Sequence, residues 1–156
     1  MGILGLEPAE ALAHSRRYEA ALAPGARVID LGSGAGIPGL VVAYDRPDLR
    51  VTLLDARQKR TDQLQRLVRR LGLQGRVEVV CSEVERFTPQ RRGAFDALVA
   101  RRFGPAAQVL AAGDALLTPV GSVIVVSAAP DDRWESSPGW VHAAEAPAGL
   151  VVLRRA

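Results

Sequence analysis

Two aspartates and a run of glycines form the set of residues in this chain whose types and spacing could do chemistry. Asp30 lies in an apolar run, Gly32, Gly34 and Gly36 follow at every second position, and Asp55 ends the next apolar run. Glycines after a strand let a ligand approach the backbone closely and permit turns at positive φ. In open α/β sheets such ligands lie outside the carboxyl ends of the strands. An acid one strand later, where Asp55 stands, can accept hydrogen bonds from the two hydroxyls of a ribose. The spacing also excludes ligands. The dinucleotide fingerprint requires glycine where Ile37 stands, and no Gly-Lys-Ser/Thr follows to hold a triphosphate.

An adenosyl ligand without phosphate fits what is left. S-adenosylmethionine has an amino-acid end and a sulfonium, so its loop needs carboxylate and backbone contacts and no lysine. The loop Asp30-x-Gly32-Ser33-Gly34-x-Gly36 supplies those groups. A glycine-rich turn kept only for packing would carry the same residues.

The elements that must position this loop are legible from periodicity. Residues 27–31 form a short apolar run bounded by turn residues, which predicts a buried strand, and 50–54 predicts a second. Between them 37–44 reads as a helix, with Pro38 tolerated in its first turn. Over 57–71 the residues Leu64, Leu67, Val68 and Leu71 make one apolar stripe, and Gly72 can stop that helix. Further strands are expected at 76–80, 95–100 and 122–126, with helices at 8–22 and 105–117. Alternation of this kind predicts an α/β fold with a mainly parallel sheet and right-handed crossovers. Residues 129–139 read as a loop, and 140–145 and 150–154 as a closing antiparallel hairpin. That ending matches the Rossmann-like class I S-adenosylmethionine-dependent methyltransferase plan and departs from an all-parallel dehydrogenase sheet.

Bulk properties bound the rest. A chain of 156 residues, 48% hydrophobic and 24% charged, suits one domain, burying roughly 70% of its unfolded surface. It divides into an N-terminal helical segment (1–25), a cofactor-binding core (26–127) and a loop with hairpin (128–156). Apolar stretches are strand-sized, and the first residues lack the basic start and apolar core of a secretory signal. The single cysteine, Cys81, excludes an internal disulfide and suits a reducing cytoplasm; its place at a strand end predicts a small buried residue. With two histidines and one cysteine, no zinc site is expected. The net charge of +3 is compatible with nucleic acid, but only 4% of residues are aromatic, too few for base-stacking platforms.

Four blocks in order resemble the glucose-inhibited division protein B family, S-adenosylmethionine-dependent methyltransferases of small-subunit ribosomal RNA. They are DLGSGAGIPGL (30–40), with its Pro38-Gly39 pair, TLLDARQKR (52–60), SEVERF (82–87) and FDALVARRF (95–103). The resemblance covers residues 26–127 and implies transfer of a methyl group to guanine N7. It implies that Gly32 and Ile37 touch the cofactor, that Asp55 and Ala56 hold its ribose and adenine edge, and that Val84 and Glu85 flank the adenine. Asp30, Ser33, Gly34 and Gly36 complete the loop, and Arg101 closes the site near cofactor and target base. Ribosomal RNA or the small ribosomal subunit is the implied partner. Where the family carries an arginine or neutral residue stands Glu83, and the family's Lys-Gly after the fifth strand is absent. These departures favour two alternatives: a paralogue that methylates a small molecule or protein, and a binding module without catalysis.

Overall fold

The computed structural model describes residues 8–127, 134 and 137–156. Helix α1 (Pro8–Glu19) precedes β1 (Arg27–Leu31), α2 (Gly39–Asp45), β2 (Arg50–Asp55), α3 (Gln58–Arg70) and β3 (Val77–Cys81). A single turn, α4 (Val84–Phe87), leads to β4 (Ala97–Arg101), α5 (Ala106–Leu116), β5 (Val123–Ser127), β6 (Trp140–His142) and β7 (Leu150–Arg155). The seven strands form one sheet in the order β3-β2-β1-β4-β5-β7-β6. The first five run parallel, and β7 enters antiparallel between β5 and β6. The expected fold and closing hairpin are therefore present. The expected loop over 129–139 lies largely outside the described residues.

The strands are apolar on successive residues because both faces of the sheet are covered. Val28, Ala97, Val99, Val123 and Val125 pack with Tyr18, Leu40, Val42, Leu64 and Val68 from α1, α2 and α3. Ile29, Leu31, Leu98, Ile124 and Val126 face the other way, onto Val84 and Phe87 of α4 and Val109 and Leu116 of α5. This is a three-layer sandwich. Chain order reverses between β1 and β4, so the crevice at their carboxyl ends is where ligands bind in such sheets.

Two helices differ from the periodic reading for identifiable reasons. The helix expected from residue 37 begins at Gly39, because the Gly39 amide is held from outside the helix by the Asp30 carboxylate at 2.8 Å. In α3, Leu64 and Val68 are buried and Leu67 is half-buried, as the stripe requires. Leu71 lies beyond the helix end and is exposed, and Thr61 takes the remaining buried position.

The hairpin is tied to α5 by polar contacts. Asp114 accepts hydrogen bonds from Trp140 Nε1 at 2.8 Å and Arg155 Nη1 at 2.7 Å, and the Arg155 guanidinium lies 4.4 Å from the Trp140 ring centroid. Gly113 lets α5 approach β5 closely: a Cβ there would meet Ile124 Cδ1 at 2.6 Å, with Trp140 Cζ2 next at 3.4 Å.

Candidate cofactor site

The glycine loop is anchored to β2 before it turns. Gly32 N and Ser33 N both donate to the Leu54 carbonyl, at 2.8 and 3.0 Å. Gly32, Gly34 and Gly36 then take φ values of +68°, +53° and +95°, a region costly for residues with a Cβ. Ser33 Oγ donates back to the Asp30 carbonyl at 3.1 Å. A side chain at Gly32 would sit 2.9 Å from the Phe103 ring, so loop and β4 end are in direct contact.

Asp30 lies beneath this loop and does not line the cleft. Its side chain is fully buried, and Oδ2 receives the Gly39 amide. A Cβ on residue 39 would lie 2.2 Å from that oxygen and 2.6 Å from Leu53 Cδ2. Position 39 therefore admits only glycine. Burial raises the Asp30 carboxyl pKa from 3.8 to about 7, outweighing the Gly39 hydrogen bond that favours the charged form.

At the end of β2, Asp55 reaches back across the loop and accepts a hydrogen bond from Gly34 N at 2.9 Å. It also accepts the Arg57 amide at 2.9 Å and a two-pronged contact from the Arg57 guanidinium at 3.1 Å on each oxygen. These bonds hold the carboxyl below its ordinary value although burial pushes it up. Ser82 N and Cys81 Sγ donate to the Asp55 and Ala56 carbonyls, fastening β3 to β2 at the rim. Cys81 is exposed, contrary to the buried thiol expected from its strand-end position: β3 is the edge strand of the sheet that the described residues form.

Between these elements lies a cleft of about 230 Å³. Of the expected site residues it is lined by Gly32, Asp55, Ala56 and Val84. Arg57, Ser82, Glu83, Arg102 and Phe103 also line it, and the sequence pattern had not assigned them to the cofactor. Two of them gave a signal: Glu83, as a departure from the resembled family's pattern, and Arg102, as the second of two arginines in the FDALVARRF block. The Arg102 φ of +52° turns the chain there. Glu85 lines a neighbouring groove beside Thr88, Arg92 and Gln108. Ser33, Gly36 and Ile37 are buried in the loop and do not border the cleft, and Gly34 lines a separate groove beside Arg60 and Leu67.

Arg101 is half-buried at the end of β4, with Nη1 buried and without a hydrogen-bond partner among the described residues. Burial and the neighbouring Arg102 charge lower its pKa. His14 and Tyr18 of α1 share this region. Tyr18 Oη donates to the Ala100 carbonyl at 3.0 Å, and its ring meets His14 edge-on at 5.5 Å. Burial and the Arg101, Arg17 and Arg102 charges lower the His14 pKa, favouring the neutral ring.

A larger groove of about 800 Å³ lies between Ala20, Ala21 and the closing hairpin and shares no residue with the loop. Among the described residues, no cluster of three or more histidine, cysteine or acidic side chains could hold a metal, and no helix is long and apolar enough to cross a membrane.

A family model for rRNA small subunit methyltransferase G, GidB, matches residues 9–137. The chain belongs to this family. A Laribacter hongkongensis protein named ribosomal RNA small subunit methyltransferase G is 45% identical over 87 residues, which are 56% of this chain and 41% of that protein. A Sorangium cellulosum protein of the same name is 36% identical over 121 residues, 77% of this chain and 50% of that one. The GidB chain described here thus spans about half or less of the length of these relatives. A Thiobacillus denitrificans S-adenosylmethionine-dependent methyltransferase, solved with S-adenosyl-L-homocysteine, is similar with a TM-score of 0.60 and 27% identity, over 75% of this chain and 47% of that one. A Geobacter sulfurreducens methyltransferase has a TM-score of 0.68 at 17% identity, over 94% and 76% of the two chains, which shows the shared fold.

Proposed function

We propose that this GidB chain binds S-adenosylmethionine in the cleft beside Asp55 and methylates guanine N7 in small-subunit ribosomal RNA. The observation that carries the reading is the placement of the Asp55 carboxylate against the Gly34 amide, at the chain reversal between β1 and β4. The residues fit an adenosyl ligand. A carboxylate faces the loop, the turn at Gly32 leaves no side chain between loop and Phe103, and Ala56 and Val84 give an apolar lining for an adenine. The bound cofactor supplies an electrophilic methyl group on a sulfonium.

In this reading Asp55 takes the two ribose hydroxyls, Gly32 brings backbone to the methionine end, and Gly34 and Gly36 set the turn behind it. Ile37, Ser33 and Asp30 hold the loop in shape from below. Ala56 and Val84 border the adenine. Guanine N7 carries a lone pair and no proton, so transfer needs no general base. Alignment and exclusion of water are then the main demands. Arg101, whose buried Nη1 has no partner among the described residues, is suited to orient a guanine edge. The net charge of +3 favours encounter with RNA. Transfer of labelled methyl to small-subunit RNA that lacks the modification tests the reading, with 7-methylguanosine as the expected product.

A further inference from the structure

The Asp55 carboxylate has no acceptor site left for a ribose. A carboxylate offers about four lone-pair positions on its two oxygens. In this protein four donors fill them: the Gly34 amide, the Arg57 amide, and Arg57 Nε and Nη2. The two amides belong to the glycine loop and to the start of α3, so they cannot leave without unmaking both. The two guanidinium bonds can leave, because the Arg57 side chain is 62% exposed while that of Asp55 is 3% exposed. The guanidinium also lies over the loop, with Nη2 3.9 Å from where a Gly34 Cβ would be.

Resting on the cofactor reading above, we propose that Arg57 is a self-occluding latch: its guanidinium occupies the two acceptor positions that the ribose diol takes. Binding is then an exchange of two hydrogen bonds for two. The ribose hydroxyls replace Nε and Nη2, and the released guanidinium turns into solvent at the cleft rim, where Glu83 is the other acid lining the cleft. Arg57 thus weakens affinity for any ligand presenting a vicinal diol at Asp55, and it keeps the buried carboxylate paired while no ligand is held. The charged pair must break before the diol can bind, so affinity depends on how strongly solvent screens it.

Calorimetric titration with S-adenosylhomocysteine tests this on the whole chain, comparing wild type with Arg57→Leu and Arg57→Lys. Arg57→Leu is expected to bind about tenfold tighter, the order of one half-buried charged contact removed from the free state. Arg57→Lys, which cannot make the two-pronged contact, is expected to fall between. Raising KCl from about 50 mM to about 500 mM should tighten wild-type binding and leave Arg57→Leu unchanged. Equal or weaker binding by a folded Arg57→Leu protein overturns the latch and assigns Arg57 to holding the cofactor or to neither role. Absence of binding by wild type and both variants overturns the cofactor reading itself, and the latch with it.

Discussion

The Asp30 carboxylate receives the Gly39 amide at 2.8 Å in a site where residue 39 has no room for a Cβ. This contact joins the end of β1 to the start of α2 underneath the glycine loop, and it fixes where the helix begins. The Pro38-Gly39 pair therefore has a steric cause: the second residue must be glycine for the acid to reach the backbone. Gly39→Ala is expected to lower unfolding free energy by about 2–4 kcal/mol through overpacking. Urea denaturation followed by circular dichroism measures it, and a loss below about 0.5 kcal/mol would show that the acid and loop readily move apart.

The same acid makes stability pH-dependent. Burial raises its pKa from 3.8 to about 7, so the folded state holds a proton that the unfolded chain releases. The resulting stabilisation is fully present below about pH 3.8 and is lost as pH rises through about 7. Asp30→Asn fixes the side chain neutral and removes this dependence. The stability of Asp30→Asn relative to wild type should therefore rise between pH 5 and pH 8. Glu19, also raised to about 7 by burial, titrates in both proteins and cancels in the difference. Parallel stability curves for the two proteins would contradict the assignment.

Asp55→Ala removes the acceptor for both ribose hydroxyls. Hydrogen bonds to a charged group are worth roughly 1.5–3 kcal/mol, so in the Arg57→Leu background, where no ion pair has to break, affinity for S-adenosylhomocysteine should fall about tenfold to hundredfold, and by less with Arg57 present. The Gly34 amide also loses its partner, so thermal stability should fall alongside. Unchanged affinity would place the ribose elsewhere.

How much of this site could be read from the sequence follows from which signals are local. Glycine spacing and the acid at a strand end are local, so the loop and Asp55 were legible; strand alternation likewise gave the sheet. Arg57, Ser82, Glu83, Arg102 and Phe103 meet only because β3 pairs with β2 while β1 lies between β2 and β4, and no spacing along the chain announces that. Glu85 falls one residue beyond Val84 on a single-turn helix, and that step carries it from the cleft to the next groove. The bond between Asp114 and Trp140 spans 26 residues and was equally invisible.

That bond should matter to the fold. Asp114→Ala leaves Trp140 Nε1 and Arg155 without their shared acceptor. The Asp114 side chain is about half exposed, so solvent screens the Arg155 contact and the predicted loss is about 0.5–1.5 kcal/mol. Chemical denaturation checks it, and Asp114→Asn should recover the Trp140 part only.

The loop-to-strand contact gives a further check on the site. Gly32→Ala forces a Cβ against Phe103 and strains a residue at φ +68°. Affinity for S-adenosylhomocysteine should drop, and Phe103→Ala in the same chain should restore part of it by removing the clash. No recovery in the double variant would show that backbone strain alone is responsible.

Methyl transfer to guanine N7 is read most directly by nucleoside mass spectrometry. Small-subunit RNA lacking the modification is incubated with the protein and S-adenosylmethionine carrying a labelled methyl group, then digested to nucleosides. Label is expected in 7-methylguanosine, reduced by about tenfold in Asp55→Ala. Cofactor binding without label in any nucleoside, or label at another atom, would contradict transfer to N7.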